Sequence, residues 1–494
     1  MDTGGTLYLR IADAIAASVR SGALARGERL PSVRETARRE GVSVATVVQA
    51  YRALEDARLV EARPRSGYFV AARPPRPPEP EASTPSADAF EVDLGAIGAR
   101  LMRLAHDPRY VSFGAACPGT QLFDEDRIRR TVSRCVQRHR SLLAEYGTGT
   151  GQPALRRAIA RHAVGLGCAL DPERVLVTNG CIESVTLGLR ATTRPGDVVA
   201  LESPTYFRFL QILESLHLRA LEIPTHPRTG LSVDALRLAL ETQPVRAVLA
   251  VPTLSNPLGS CMPVAERRRL AQLVAEHDIP LIEDVIYNDL ATHDDKRRAV
   301  RAFDATGHVV LCGSFTKTVA PGIRLGWIDA GRWSERVHAL KATTSGGQTA
   351  VMELALADLL TQPGQESAFR QLRSAIAAGV DTARGLIAEH FPRGTRVTDP
   401  PGGFILWVEL PASVDAMRLA EACLAERICF APGAIFGGGG RYRHCIRLGV
   451  GGPWDEARQA ALRRVGQIAS RMARAAAAGA DGPADARREA IAQA

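Results

Sequence analysis

The sequence predicts a multidomain chain. A small helical head ending in a β-hairpin is joined to a large α/β body built on a mostly parallel sheet. Three observations predict this. The first 72 residues place apolar side chains at helical spacing, interrupted by glycines, and close on two short β-rich runs. Residues 73–92 are proline-rich and have no apolar period. Beyond them, short apolar runs alternate with amphipathic segments, the rhythm of strand–helix–strand units. The 494 residues suffice for this division, and 46% hydrophobic with 23% charged residues is the composition of a globular chain.

In the head, residues 7–19 have helical periodicity, which Gly22 and Gly27 break. Ser32 caps a second helix with Glu35 three residues on, the spacing of a capping box. Gly41 ends that helix. Ser43 caps a third over 44–56, with Val47, Val48, Tyr51 and Leu54 on its inner face. Two short helices joined by a glycine turn predict a helix-turn-helix. Residues 59–70 read as a hairpin with a basic tip.

This module resembles the winged helix-turn-helix of the GntR regulator family. The match is Leu30-Pro31-Ser32-x-Arg34, Gly41-Val42-Ser43-x-x-Thr46-Val47 and Gly67-Tyr68-Phe69-Val70, in order. It implies a double-stranded DNA operator as partner, met by Arg34, Ser43, Thr46, Arg63 and Gly67. Arginine and threonine suit phosphates and base edges, and glycine lets the wing backbone approach a groove. Two residues depart from the family pattern. Val44 stands where many members carry a polar or basic residue, and Arg58 where a glycine usually ends the third helix. The formal net charge of +9 suits a nucleic-acid partner.

Residues 73–92 are expected to be an extended, semi-rigid tether. The body is expected over 93–475, with a smaller part from about 375, and an Ala-rich tail over 476–494. Strands are expected at 175–178, 198–202, 218–223, 247–251, 280–283, 309–312 and 326–329. Sites in such sheets lie at the carboxyl ends of strands. Those ends deliver Gly180 and Cys181 in a glycine turn, Tyr206, Asn256, the pair Asp284 and Tyr287, and finally Ser314, Lys317 and Arg324. The run Gly437–Gly440 has no strand-to-helix context and is expected to be a mobile loop.

Lys317 is one of three lysines, with Lys296 and Lys341, among 62 basic residues. A guanidinium stays protonated, whereas a lysine amine can lose its proton and form an imine with a carbonyl. Lys317 is therefore the candidate catalytic residue. The surrounding set matches what pyridoxal phosphate (PLP) requires. Asp284 would keep the pyridine nitrogen protonated, Asn256 and Tyr287 would face the ring oxygen, and Tyr206 would cover the ring. Gly180, Cys181, Ser314 and Arg324 would hold the phosphate. A serine acyl-enzyme reading of Ser314-x-x-Lys317 lacks its Ser-Asp-Asn and Lys-Thr-Gly partners.

Residues 110–470 resemble a fold-type I, class I aminotransferase. Asn256-Pro257-x-Gly259, Asp284-x-x-Tyr287 and Ser314-x-x-Lys317, with Arg324 seven residues past the lysine, carry the likeness. The resemblance implies a homodimer in which Tyr146 reaches the phosphate of the other subunit. It implies that Arg447, beyond Pro432-Gly433-Ala434-Ile435-Phe436, clamps a substrate carboxylate, and that Arg208 is a further substrate or effector contact. Head, tether and body together resemble the MocR subfamily of GntR regulators. That implies a PLP-dependent transcriptional regulator whose body senses an amino acid, an amine or PLP. The alternative is a working aminotransferase with an accessory DNA-binding domain. Nine scattered cysteines without a Cys-x-x-Cys pair argue against a disulfide framework or structural zinc. They favour a cytoplasmic protein, as does the lack of a signal-peptide layout in residues 1–5. No run is long and apolar enough to suggest a membrane span.

Overall fold

A computed structural model describes residues 4–21, 23–25, 27–56, 59–63, 66–71, 77–92, 103–105, 107–147 and 149–481. The chain divides into two compact units, Met1–Arg76 and Pro77–Ala494.

The head holds helices α1 (Gly4–Ser21), α2 (Val33–Glu40) and α3 (Val44–Asp56), then an antiparallel hairpin, β1 (Val60–Arg63) and β2 (Gly67–Val70). Ser32 Oγ accepts the Glu35 N–H at 3.2 Å, which caps α2, and Gly41 ends it with φ +65°. Ile11 and Ile15 of α1 pack with Val47, Tyr51 and Leu54 of α3 and with Leu59 and Val60 of the hairpin. The Tyr51 hydroxyl donates to the Pro31 carbonyl at 2.9 Å and lies 2.7 Å from Thr36 Oγ1, so the buried phenol locks α2 onto α3. Arg58, one of the two departures noted above, lies outside the described residues.

The body is built on a sheet containing all seven expected strands. In chain order after β3 (Phe90–Glu91) they are β4 (Leu176–Thr178), β5 (Val198–Ser203), β6 (Arg219–His226), β7 (Val245–Ala250), β8 (Leu281–Asp284), β9 (Val309–Ser314) and β10 (Gly326–Asp329). The spatial order is β3-β6-β5-β7-β8-β9-β10-β4. From β6 to β9 neighbours are parallel, whereas β10 runs antiparallel to both β9 and β4. These strands are buried and rich in Val, Leu and Ile, as a sheet covered on both faces demands. A second, smaller antiparallel sheet holds Arg396–Val397, Ile405–Glu409, Cys445–Gly449 and Ala431–Pro432, beside helices Gln365–His390, Ala416–Ala425 and Glu456–Asp481. The last helix runs through 476–481, where a tail was expected. Residues 482–494 of that tail lie outside the described residues.

The stretch expected to be a free tether is, from Pro77 onward, part of the body. Phe90 pairs with Ala220 and Glu91 with Arg219 on the outer strand β6. The Ser83 N–H donates to Thr225 O at 3.0 Å, and Val397 N–H donates to Pro78 O at 2.9 Å. The reason is physical: an edge strand offers unpaired backbone groups, and this extended segment satisfies them. In the glycine run at 437–440, Gly437 and Gly438 are likewise packed, while Gly439 and Gly440 are exposed. Gly438 N–H donates to Glu222 Oε1 at 2.9 Å, and a Cβ on Gly438 would sit 2.6 Å from the Phe90 ring.

A Cβ at Gly326 would lie 2.5 Å from the backbone carbon of Gly180. Gly326→Ala should therefore lower stability by about 1–3 kcal/mol through overpacking. A urea midpoint equal to wild type would show that the two turns do not need this close approach.

Candidate functional site

Parallel strands bring their carboxyl ends to one edge, and the site is assembled there. In register across three strands stand Ser314, Gly326 and Thr178. After Thr178 the chain turns through Asn179 and Gly180 into the helix Cys181–Thr192, which Gly180 opens with φ +80°. The first turn of that helix presents N–H groups without intrahelical partners, as a phosphate cup requires. A Cβ on Gly180 would meet the Arg324 guanidinium at 3.4 Å, so Arg324 lies beside this cup. Arg324 itself has φ +61°, just past the short helical turn Pro321–Ile323.

Asp284 ends β8 and is buried. Its Oδ1 accepts the Ile286 N–H at 2.9 Å and the Cys181 thiol at 3.1 Å. Cys181 thus contributes a side chain toward Asp284 besides its place in the helix turn. Burial raises the Asp284 carboxyl from 3.8 to about 6, opposed by those hydrogen bonds and by Lys317. Asn256 is also buried, and neither of its amide atoms has a well-aligned hydrogen bond. It approaches the Tyr287 hydroxyl, whose pKa is driven well up by burial and eased back in part by that amide. A buried amide left in this state fits a missing acceptor or donor from a bound group.

Lys317 lines a cleft with Ala115, Ala116, Cys117, Tyr206, Phe207 and Arg447. Among the described residues no hydrogen bond or ion pair holds its amine. Burial pushes its pKa down, and the charges of Arg324 and Arg447 push the same way against Cys117 and Asp284. The other two lysines are placed differently. Lys341 is 1% exposed and lies 3.1 Å from Glu183, and Lys296 lies away from the residues that line the cleft. Arg447 sits on the strand Cys445–Gly449, buried, with its guanidinium over the Phe436 ring at 5.6 Å. Among the described residues only Nη2 is bonded, donating to Gly114 O at 2.8 Å, while Nε and Nη1 find no partner there. Burial lowers its pKa, and no carboxylate is among the groups that raise it.

Tyr206 meets Phe207 and Phe209 edge-on at 5.2 and 5.4 Å, which fixes its ring at the cleft wall. Burial raises its pKa, and Arg208 and Arg447 lower it, so Arg208 lies within electrostatic reach of the cleft. Ser314 is turned aside: its hydroxyl donates to Leu325 O at 2.8 Å and contacts Thr316 Oγ1 at 2.7 Å. Tyr146 is fully exposed in the single chain. Sequence reasoning missed Ala115, Ala116, Cys117 and Phe207, and also the unpartnered buried hydroxyls of Thr205 and Thr318. Thr205 and Phe207 flank Tyr206 and could have been found with it. Residues 115–117 carry no motif and reach the cleft only through the tertiary fold.

In the head, Arg34 and Ser43 are exposed and Thr46 half-buried. Ser43 Oγ accepts the Thr46 N–H at 3.1 Å and lies 2.8 Å from Thr46 Oγ1, so it caps α3. Val44, the first residue of α3, is 50% exposed. Arg63 lies 2.5 Å from Glu61 and stacks over Phe69 at 4.4 Å. Gly67 has φ +100°, a conformation strained for other residues.

Comparison with known proteins agrees with both halves. Residues 7–70 match the family model for bacterial regulatory proteins of the gntR family, and residues 121–465 match that for aminotransferase class I and II. The chain is 35% identical to the HTH-type transcriptional regulator YjiR of Escherichia coli K12, over 94% of this chain and 99% of the relative. The chain belongs to the MocR subfamily of GntR-type regulators. It joins a GntR helix-turn-helix to an aminotransferase-like domain, as HTH-type transcriptional regulators of this kind do. It is also 26% identical to the probable rhizopine catabolism regulatory protein MocR of Rhizobium meliloti, over 87% of each chain. The fold matches that of Pyrococcus horikoshii kynurenine aminotransferase with a TM-score of 0.71 and 24% identity, over 77% of this chain and 95% of the other. That structure was determined with PMP and kynurenine.

The folded state of this subfamily member holds the Asp284 proton more tightly than an unfolded chain does. The resulting loss of stability is absent below about pH 4 and fully present above about pH 6. Asp284→Asn should therefore stabilise the cofactor-free protein at pH 8 by at most about 3 kcal/mol and leave it unchanged near pH 4. Equal urea midpoints of variant and wild type at pH 8 would contradict a buried, destabilising carboxylate.

Proposed function

We propose that the protein is a PLP-dependent, DNA-binding transcriptional regulator whose body senses an amino acid, an amine or PLP. The observation that carries this is the pairing of Lys317 with Arg447 in one cleft, an amine without a bonded acid and a buried guanidinium without an anion. A buried unpaired charge is costly unless something charged joins it. A carboxylate would complete Arg447 bidentately.

The residues present fit PLP. Lys317 would hold its aldehyde, Asp284 its pyridine nitrogen, Asn256 and Tyr287 its ring oxygen, and Tyr206 would cover its ring face. The helix turn at Gly180 and Cys181, with Arg324, would receive its phosphate. Ser314 would join them only by turning its hydroxyl from Leu325. When bound, the cofactor supplies a carbonyl for amine capture and an electron sink. Lys317, its pKa lowered, can give up its proton more readily than a solvated lysine. Asp284 keeps an anion where the ring nitrogen would bind, and a cation there would bring its own pKa back down.

The solvent-facing Tyr146 supports a homodimer in which it reaches the partner's site. Nine free thiols suit a reducing cytoplasm, and no helix among the described residues is long and apolar enough to cross a membrane. In the head, Arg34, Ser43, Thr46, Arg63 and Gly67 would meet operator DNA, with Val44 adding methyl groups suited to apolar contact.

After incubation with PLP, borohydride should leave the cofactor covalently attached to Lys317, as read by peptide mass mapping, and Lys317→Ala should remain unlabelled. Absence of label on wild type sinks the cofactor reading. The protein should retard the duplex upstream of its own gene with an affinity that falls as salt rises. Arg34→Ala should weaken binding across sequences and reduce the salt slope by about 1. Sustained keto-acid formation from an amino donor would assign the cleft to a working aminotransferase instead.

A further inference from the structure

We infer that residues 77–91 form a strap whose docking on the body is coupled to occupation of the Lys317–Arg447 cleft. The proposal rests on the sensing role assigned to that cleft. The coupling runs through Thr225 and Ser203.

The strap is anchored along its length. Pro78 O accepts Val397 N–H at 2.9 Å, Glu79 pairs with Arg228, and Glu81 meets Arg396 at 2.7 Å. Ser83 and Thr225 exchange two hydrogen bonds: Ser83 N–H donates to Thr225 O at 3.0 Å and Thr225 N–H donates to Ser83 Oγ at 2.8 Å. Ala89 O accepts Arg219 at 3.0 Å, and Phe90 closes the strap on β6. Two of these anchors are partly exposed ion pairs, individually weak. Docking is therefore a sum of small terms, the kind of element whose equilibrium a ligand can bias.

Thr225 connects the strap to the cleft. Its Oγ1 accepts the Ser203 N–H at 3.0 Å. Ser203 Oγ lies 2.7 Å from the Tyr442 hydroxyl. Three residues on is Tyr206, which lines the cleft, and between them Thr205 N–H donates to Phe436 O at 2.8 Å. Phe436 is the ring beneath Arg447. A ligand anion on Arg447, resting against Tyr206, would order the segment 203–206 at both ends. That segment holds the side chain of Thr225, whose backbone holds Ser83.

A filled cleft thus holds the docked strap more firmly than an empty one does. With the strap docked, six residues, 71–76, lie between the hairpin and the strap, whose first anchor is Pro78. Release frees a further fifteen, 77–91, with a reach on the order of 50 Å when extended. The strap is the two-state element, and the differential contacts are those around Ser203. Coupling of this kind is reciprocal: the factor by which an occupied cleft favours the docked strap is the factor by which the docked strap favours binding in the cleft.

The test uses the full-length, PLP-loaded protein and aminooxyacetate, which carries a carboxylate for Arg447 and an amine-like group for the cofactor's carbonyl. Amide hydrogen exchange across 77–91 is followed by mass spectrometry, with cofactor absorbance reporting occupation. Exchange should slow by about fivefold or more on adding the probe. Ser83→Ala, which lies outside the cleft, should raise exchange in the strap and weaken probe binding, by at most the factor by which the probe slows exchange in wild type. Unchanged or faster exchange in the strap while absorbance shows the probe bound overturns the coupling and leaves the cofactor site standing. Failure of PLP or the probe to bind at all overturns the proposed function and the coupling with it.

Discussion

Charge without a partner is the constraint on which this structure turns. Lys317 and Arg447 share a cleft in which, among the described residues, no carboxylate is bonded to either, and Asp284 is a carboxylate buried nearby, bonded there to a thiol and an N–H. Low-dielectric surroundings penalise such groups, and a folded protein keeps them only where a rigid frame forces it. The frame here is the parallel sheet. Its buried strands leave their carboxyl ends on one edge, so residues distant in sequence converge without any loop having to find its way.

The frame in turn depends on close backbone approach. Gly180 and Gly326 meet at a distance that leaves no room for a Cβ, and the short strand β10 runs antiparallel between β9 and β4 to make that meeting possible. Phosphate cup, lysine and carboxylate are then spaced by strand geometry, about 4.8 Å per strand. The second sheet brings Arg447 to the same cleft. Phe436 and Tyr442, in the connection between its strands Ala431–Pro432 and Cys445–Gly449, touch the segment 203–206, so the wall of the cleft and the footing of residues 77–91 are continuous.

Much of this was legible. Each strand of the large sheet is a short apolar run, and a residue that follows such a run in an α/β chain is at the site edge by topology alone. Asp284, Asn256, Tyr206 and Lys317 were read that way. What could not be read was orientation. Ser314 sits in register with the site, yet its hydroxyl bonds Leu325 O, because a nearer carbonyl was available in its own loop. Cys181 was placed by its backbone, and its thiol turned out to face Asp284. Residues 115–117 line the cleft from a segment with no motif, because a wall needs only small side chains.

By itself, the sequence determined the two-part layout, the order of strands along the chain, the cap-and-turn signals of the head and the chemistry of the lysine. These are local: periodicity, glycine turns and residue type suffice. Only the tertiary structure decided which strands are neighbours, which cations are left without an anion, and that residues 77–91 belong to the body. Proline content correctly reported an extended backbone. Whether an extended backbone floats or docks depends on an unpaired edge elsewhere in the chain, and β6 supplies one.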